Sequence, residues 1–339
     1  MSPDRHAQRM VIAGASSLIG AELKTVLEES RFAGWDLRLV DEEDVAGTLT
    51  EAGGEPALIQ RVEEDTFHGA RYAFLTGSAK FAKQCVGPAR EAGATIIDFS
   101  RASLSDPDAT PWFPKLERLS GRSVAKKAKT FCVLSAAGTA VASVALALRR
   151  LGLQRLTAVL FHPVSEAGRD GIEELETQTS QLLSFQSVGH RVFGTQVAFS
   201  LLPRFGAESR EDLHESLLKI RAEVSAAVGE PEEDAKIAVN LIHAPVFYGT
   251  TFSICAELEG NSEAAKLTEA CAEAGFSLAG EGVEAPNNVS VAGESGVFLC
   301  TPEADASREG TWWFWGAADN LRLPASNGCK LVEWLETES

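Results

Sequence analysis

No run of about 18 apolar residues occurs anywhere in the sequence, which excludes a membrane-spanning helix. The first ten residues, Met1–Met10, are polar and have neither the apolar stretch nor the small-residue cleavage site of a signal peptide. A cytoplasmic location is therefore expected. The 6 cysteines (Cys85, Cys132, Cys255, Cys271, Cys300 and Cys329) stand singly. None forms a C-x-x-C pair, so neither a zinc site nor a redox pair is expected, and each reads as a small buried hydrophobe. Basic residues are in short supply: 31 Lys and Arg face 48 Asp and Glu, for a net charge of −17. Nucleic acid and anionic membranes both demand a basic face, so neither is an expected partner. Repeats and low-complexity linkers are absent.

What is present is the balance of a soluble globular protein, 45% apolar and 23% charged over 339 residues, enough for two domains with sizeable cores. Arg9–Gly14 is an apolar run ending in glycine. Ala15–Glu29 follows with Leu18, Ile19, Leu23 and Leu27 at helical spacing. Leu37–Val40, Tyr72–Thr76, Thr95–Phe99 and Thr130–Leu134 read as further strands, with a helix at Ala79–Ala92. Strands alternating with helices imply a doubly wound parallel sheet of Rossmann type. After Ser135 the pattern changes. Helices are predicted at Thr139–Leu151, Glu173–Leu183 and Arg210–Val228. Strands are predicted at Arg155–His162, Ala235–Tyr248, Phe252–Glu259 and Val297–Cys300. This predicts an α+β domain on a mixed or antiparallel sheet over 135–317. The first domain takes 1–134 and is completed by 318–339, which includes a helix at Ala325–Leu335.

The turn Gly14-Ala15-Ser16-Ser17-Leu18-Ile19-Gly20 joins the first strand to the first helix. Such a turn lets backbone N–H groups approach a pyrophosphate, although a tight turn without a ligand gives the same pattern. Ser17 occupies the middle glycine position. The second strand runs into Asp41-Glu42-Glu43-Asp44. A carboxylate there can accept from a ribose 2′-hydroxyl and repels a 2′-phosphate, which favours NAD over NADP; a solvated acidic loop is the plain alternative.

Several stretches together resemble the aspartate-semialdehyde dehydrogenase family. They are GASSLIG (Gly14–Gly20), RLVDEEDVAG (Arg38–Gly47), IIDFSRA (Ile96–Ala102), VSEAGRDGIEELETQT (Val164–Thr179), VAFSLLP (Val197–Pro203), HAPVFYGT (His243–Thr250) and ADNLR (Ala318–Arg322). They occur in the family's order and at about its spacings over nearly the whole chain. The resemblance implies a homodimer whose members reduce aspartyl phosphate with NADPH. A cysteine at a helix N-terminus, where the dipole lowers its pKa, is the nucleophile, and a histidine is the acid and base.

At the positions that carry this chemistry the sequence departs. The nucleophile position is Ala137, and Cys132 lies five residues earlier inside a strand. The base position, after Pro245–Gly249, is Thr250. The substrate glutamine position is His162 and the carboxylate-binding arginine position is His243. The phosphate-binding arginine position is Leu104, with Arg101 nearby, and the substrate glutamate falls at Ser216, beside Glu215. The residues facing the 2′-phosphate become Glu42 and Asp44, and those after ADNLR become Leu323 and Pro324. Gly14, Ser16, Ser17, Ile19, Gly20, Glu42, Gly77 and Asn320 are the candidate cofactor contacts, and Gly14, Gly20, Gly77, Asp319 and Asn320 keep the family frame. His162, His243, Arg101 and Glu215 are the candidate substrate-cleft residues, with room for a small-molecule ligand and no metal expected.

Two functions stay open. One is a family member without the phosphorylating activity, kept for binding or interaction, with NAD bound weakly and NADP disfavoured. The other is an NAD(P)-dependent oxidoreductase with altered catalytic residues. It would act on an aldehyde or oxo group of an amino-acid-biosynthesis-type substrate and draw on Ser135, Thr139, His162, His243 or Glu166.

Overall fold

A computed structural model describes residues 9–229, 236–260, 262–280 and 282–337. In chain order the first elements are β1 (Arg9–Ala13), α1 (Leu18–Glu28), β2 (Asp36–Asp41), β3 (Leu49–Ala52), β4 (Glu55–Leu58), β5 (Gln60–Arg61), β6 (Ala70–Leu75), α2 (Ala79–Glu91), β7 (Thr95–Asp98), β8 (Ala109–Trp112), α3 (Leu116–Ser120) and β9 (Thr130–Val133). Then come α4 (Ala136–Arg149), β10 (Leu153–His162), a 3-10 turn at Val164–Ala167, α5 (Gly168–Leu183), α6 (Leu213–Val228), β11 (Lys236–His243), β12 (Thr250–Leu258) and α7 (Ala264–Ala274). The last are β13 (Ser277–Leu278), β14 (Val297–Leu299), β15 (Glu303–Ala304), β16 (Thr311–Ala318) and α8 (Arg322–Glu336).

The chain divides into two units, one comprising residues 1–114, 122–134 and 324–339, the other 115–121 and 135–323. The boundaries expected at 134 and 318 differ from this at two places. Residues 115–121 join the second unit because α3 packs on α4. The turn at 318–323 joins it because Asp319 and Asn320 hydrogen-bond within that unit.

In the first unit seven strands pair in the order β5-β2-β1-β6-β7-β9-β8, every pair parallel. Alternate residues feed two cores. Met10, Ile12, Leu39 and Phe74 pack with Leu23 of α1 and Leu331 of α8. Val11, Ala13, Ala73 and Leu75 pack with Phe81 and Cys85 of α2. Both faces are thus buried, which is why the strands read as continuous apolar runs. β8 holds Pro111 and lies at the sheet edge, where a missing N–H is tolerated.

The second unit is built on a mixed sheet of order β11-β10-β12-β16-β14-β13. β10 pairs β11 in parallel and β12 antiparallel, and β12 and β14 both pair β16 antiparallel. α4 packs on β10, β12 and β16, and α6 on β11. Every residue of α4 from Ala136 to Leu148 is buried, so its all-round apolar sequence is that of a helix inside a core. The strand expected over Ala235–Tyr248 ends at His243, because the next residues, Ala244 and Pro245, turn the chain; its first residue, Ala235, lies outside the described residues.

Candidate functional site

β1 is flanked by β2 on one side and β6 on the other, so the strand order reverses there and opens a crevice at the strands' C-terminal ends. Gly14 has φ of 97°, and a Cβ built on it would lie 2.1 Å from the Gly77 nitrogen. The two turns therefore touch backbone to backbone, and only glycine fits at residue 14. The Thr76 hydroxyl donates to the Gly14 carbonyl at 2.9 Å. Ser17, with φ of −62°, needs no glycine: it caps α1, its Oγ accepting from the Gly20 N–H at 3.0 Å.

Asp41 is the carboxylate that reaches this turn. It is buried, with Oδ2 accepting from the Ser16 N–H at 2.7 Å and Oδ1 from the Glu42 N–H at 2.8 Å. Glu42, expected beside a ribose, instead accepts from the Ser78 hydroxyl at 2.8 Å, and Asp44 is exposed. The buried acid that touches the glycine turn is Asp41, the last residue of β2. A cavity of about 560 Å³ lined by Asp41, Glu42, Arg61, Glu63 and Phe81 adjoins it. Burial, and then the negative charge of Asp41 and Glu42, push the Cys85 thiol up to about 12, so this cysteine is inert.

In the second unit α4 starts from Ser135, whose Oγ accepts from the Gly138 N–H at 3.0 Å. Ser135 in turn gives both its donors to Glu223 of α6: N–H to Oε1 at 2.8 Å and hydroxyl to Oε2 at 2.5 Å. Glu223 is 1% exposed, and a Cβ on Gly138 would lie 2.5 Å from its Oε2. A buried carboxylate is stabilised there by the positive end of the helix dipole. Ala137, where the resemblance puts the nucleophile, is buried in the first turn of α4. Glu223 was missed from the sequence although it left a signal: it lies three residues after Ile220, on the buried side of an amphipathic helix.

His162 and His243 end two adjacent parallel strands and are paired in register. His243 is fully buried, with the Phe193 and Phe205 rings 5.9 and 5.5 Å away. Burial first, and the neighbouring His162 to a lesser degree, push its pKa down to about 4 against a weak opposing contact with the Val197 carbonyl, 3.5 Å from Nε2. Nδ1 has no hydrogen-bond partner among the described residues. Its ring is a neutral part of an apolar core and cannot replace a guanidinium as a carboxylate anchor.

The most specific sequence stretches turn out to be scaffolding. Glu174 and Gln178 of α5 are both buried. Glu174 accepts from the Val192 and Phe193 N–H groups. Gln178 donates to the Gly189 and Thr195 carbonyls and accepts from the Val197 and Ala198 N–H groups, at 2.8–3.1 Å. Asn320 accepts from the Gly249 N–H at 2.8 Å and donates to the Ser165 hydroxyl at 3.0 Å and Glu166 Oε1 at 3.2 Å. Thr250 follows directly, buried at the start of β12.

This arrangement matches known proteins along its length. A model of the semialdehyde dehydrogenase NAD-binding domain matches residues 9–122, and one of the semialdehyde dehydrogenase dimerisation domain matches residues 145–323. The chain belongs to the semialdehyde dehydrogenase family. Among its relatives a USG-1 protein homolog of Azotobacter vinelandii is 32% identical over 266 residues, 76% of this chain and 75% of that one. A USG-1 protein homolog of Pseudomonas aeruginosa is 28% identical over 328 residues, covering 95% and 96%. A solved structure described as a probable aspartate-semialdehyde dehydrogenase from Pseudomonas aeruginosa superposes with a TM-score of 0.85 at 27% identity, covering 97% of this chain and 98% of that one.

Against that family frame, Gly14, Ser16, Ser17, Ile19, Gly20 and Gly77 gather at the first unit's crevice. Arg101 sits in the same unit with φ of 65°, on a loop organised by the buried Asp98, which accepts from the Ser100 and Ser103 N–H groups at 2.7 Å. Asn320, expected at the cofactor, belongs to the second unit with its amide engaged as above. Glu215 is exposed on the first turn of α6. No helix is long and apolar enough to cross a membrane, and no cluster of three potential metal ligands occurs, among the described residues.

Proposed function

We propose that this semialdehyde dehydrogenase-like chain does not carry out the family's phosphorylating oxidation of aspartate semialdehyde, and serves as a homodimeric, cytoplasmic binding or interaction protein. The observation that carries this reading is chemical. Ala137 and Thr250 stand where the family resemblance puts nucleophile and base, and the helix end that would activate a thiolate already holds the carboxylate of Glu223. Neutral, buried His243 at the position of the carboxylate-binding arginine supports it. Removing nucleophile and base together leaves the family's own covalent route without either group.

The first unit's crevice fits NAD better than NADP. The glycine turn at Gly14 and the carboxylate of Asp41 at the end of β2 support a ribose contact. A 2′-phosphate near Asp41 and Glu42 costs on the order of 1 kcal/mol or more at a solvated site, so NADP binds about tenfold or more weakly. Bound NAD would supply hydride transfer. That retained crevice also favours the second reading, an NAD-dependent oxidoreductase with altered catalytic residues.

Assay of the purified chain with aspartate semialdehyde, phosphate and either cofactor tests the main reading. Turnover within about a hundredfold of an ordinary family member overturns it. Calorimetric titration with NAD and NADP tests the crevice, and tighter binding of NADP would refute its placement. NAD reduction with another aldehyde would favour the second reading.

A further inference from the structure

We propose that the side chains of Arg221 and Asn240 close the outer edge of β11 to strand addition, and that opening this edge lets copies of the chain join edge to edge. The outermost strands of the two large sheets are β5, β8, β11 and β13. β5 and β13 have 2 residues each, and β8 has 4 with Pro111 among them. Short strands and proline are ordinary ways of blunting an edge. β11 has neither protection. It runs for 8 residues, KIAVNLIH, with no proline and no charge from Ile237 to Ile242. All residues of that stretch except Asn240 are apolar, and Ile237, Val239 and Ile242 are β-branched. Such a segment pairs readily with another copy of itself when its edge is open.

The backbone groups on that edge are instead taken up within the chain. β10 pairs one side of β11, and the N–H and C=O of alternate residues point to the other. His243 marks the outward set: its N–H donates to the Leu202 carbonyl at 2.9 Å and its carbonyl accepts from the Leu202 N–H at 3.2 Å. Two residues earlier, the outward N–H of Leu241 donates to Asn240 Oδ1 at 3.0 Å. Two residues earlier again, the outward carbonyl of Val239 accepts from Arg221 Nε at 3.2 Å and Nη2 at 2.7 Å. Along 239, 241 and 243 no residue is left with both outward groups open, which is what a ladder to a new strand requires.

Arg221 reaches this carbonyl from α6, across the gap between helix and strand. In a chain with 31 basic and 48 acidic residues, an arginine fork that commits two donors to one backbone carbonyl is placed there for the carbonyl, not for a carboxylate. Neither Arg221 nor Asn240 belongs to the candidate site, so the edge can be opened without altering it.

Three variants test the inference beside the wild type. Arg221→Met keeps the apolar stem and removes the fork, Asn240→Ala removes the other cap, and Arg221→Lys keeps a donor. Sedimentation velocity over a range of concentration reads assembly, far-UV circular dichroism confirms folding, and hydrogen exchange follows the peptides covering 236–243. The expected result is that folded Arg221→Met forms species larger than the wild type's, growing with concentration, while Arg221→Lys keeps the wild-type mass. Exchange of the 237–241 amides should slow by about fivefold or more in the assembled fraction, as one net backbone hydrogen bond gives. Folded Arg221→Met and Asn240→Ala variants that both keep the wild-type mass at every concentration overturn the proposal. Assembly without added protection at 237–241 also overturns it, because the contact then lies elsewhere. Should Arg221→Met misfold, Asn240→Ala leaves α6 untouched and is read in the same way.

Discussion

Burying His243 between two phenylalanine rings fixes its protonation state, and that has a pH consequence. Its pKa falls from an ordinary 6.5 to about 4 in the folded chain, chiefly through burial. The unfolded chain therefore takes up a proton that the folded chain refuses. The contribution is fully present above pH 6.5 and is lost as pH falls toward 4, amounting to about 3 kcal/mol. Chemical denaturation from pH 7.5 to 4 should show this loss, and His243→Leu should flatten that part of the profile; an unchanged slope would mean that His243 is not the group responsible. The same scale governs Ala137. A thiol introduced by Ala137→Cys would enter a buried position on the first turn of α4, whose end already holds the Glu223 carboxylate against the helix dipole. Its alkylation should be no faster than that of an ordinary cysteine. The double variant Ala137→Cys, Thr250→His should remain about a hundredfold or more below an ordinary family enzyme, since Leu104 and His243 supply no guanidinium for phosphate or carboxylate. A fast-reacting thiolate in the Ala137→Cys variant would show that Glu223 does not dominate the helix end.

At the scale of elements, α5 acts through Gln178, which ties residues 189–198 to the helix with bonds to Gly189, Thr195, Val197 and Ala198. Gln178→Leu keeps the volume but strands the buried Val197 and Ala198 N–H groups, at a cost of about 2 kcal/mol or more. Thermal unfolding measures the loss, and hydrogen exchange should rise first in 189–198. Full protection there would refute the role. The sequence stretch ELETQT announced kinship without announcing this task, because a buried Glu and Gln on a helix look the same whether they hold a loop or a ligand. The parallel sheet was legible, since strands buried on both faces keep their apolar runs and glycine turns. β16 was not: in Thr311–Ala318 Trp312, Trp313, Phe314 and Trp315 are apolar on both sides of the strand, so no alternation marks it. Asp41 was read within an acidic run without being singled out, because four consecutive acids hide which one the strand end turns inward. Glu223 was hidden by the habit of assigning charged helix positions to solvent.

For the whole molecule, the decisive quantity is a net charge of −17. If two copies join, bringing them together adds repulsion between their acidic surfaces and few attractive ion pairs. Salt then screens a net repulsion. The screening length is about 30 Å at about 0.01 M ionic strength and about 10 Å at about 0.1 M, so the repulsion reaches across a whole subunit in the first case and only between near neighbours in the second. Apolar burial between two copies would depend little on salt at these concentrations. The dimer should therefore tighten as sodium chloride is raised from about 0.01 to about 0.1 M, by several-fold in dissociation constant. An interface stitched by ion pairs between Arg155 or Lys236 of one copy and Glu257 of the other would respond in the opposite direction, since salt weakens exposed pairs. Sedimentation equilibrium across this range separates the two: a dissociation constant that rises with salt would show that ion pairs, and not apolar burial, dominate the contact.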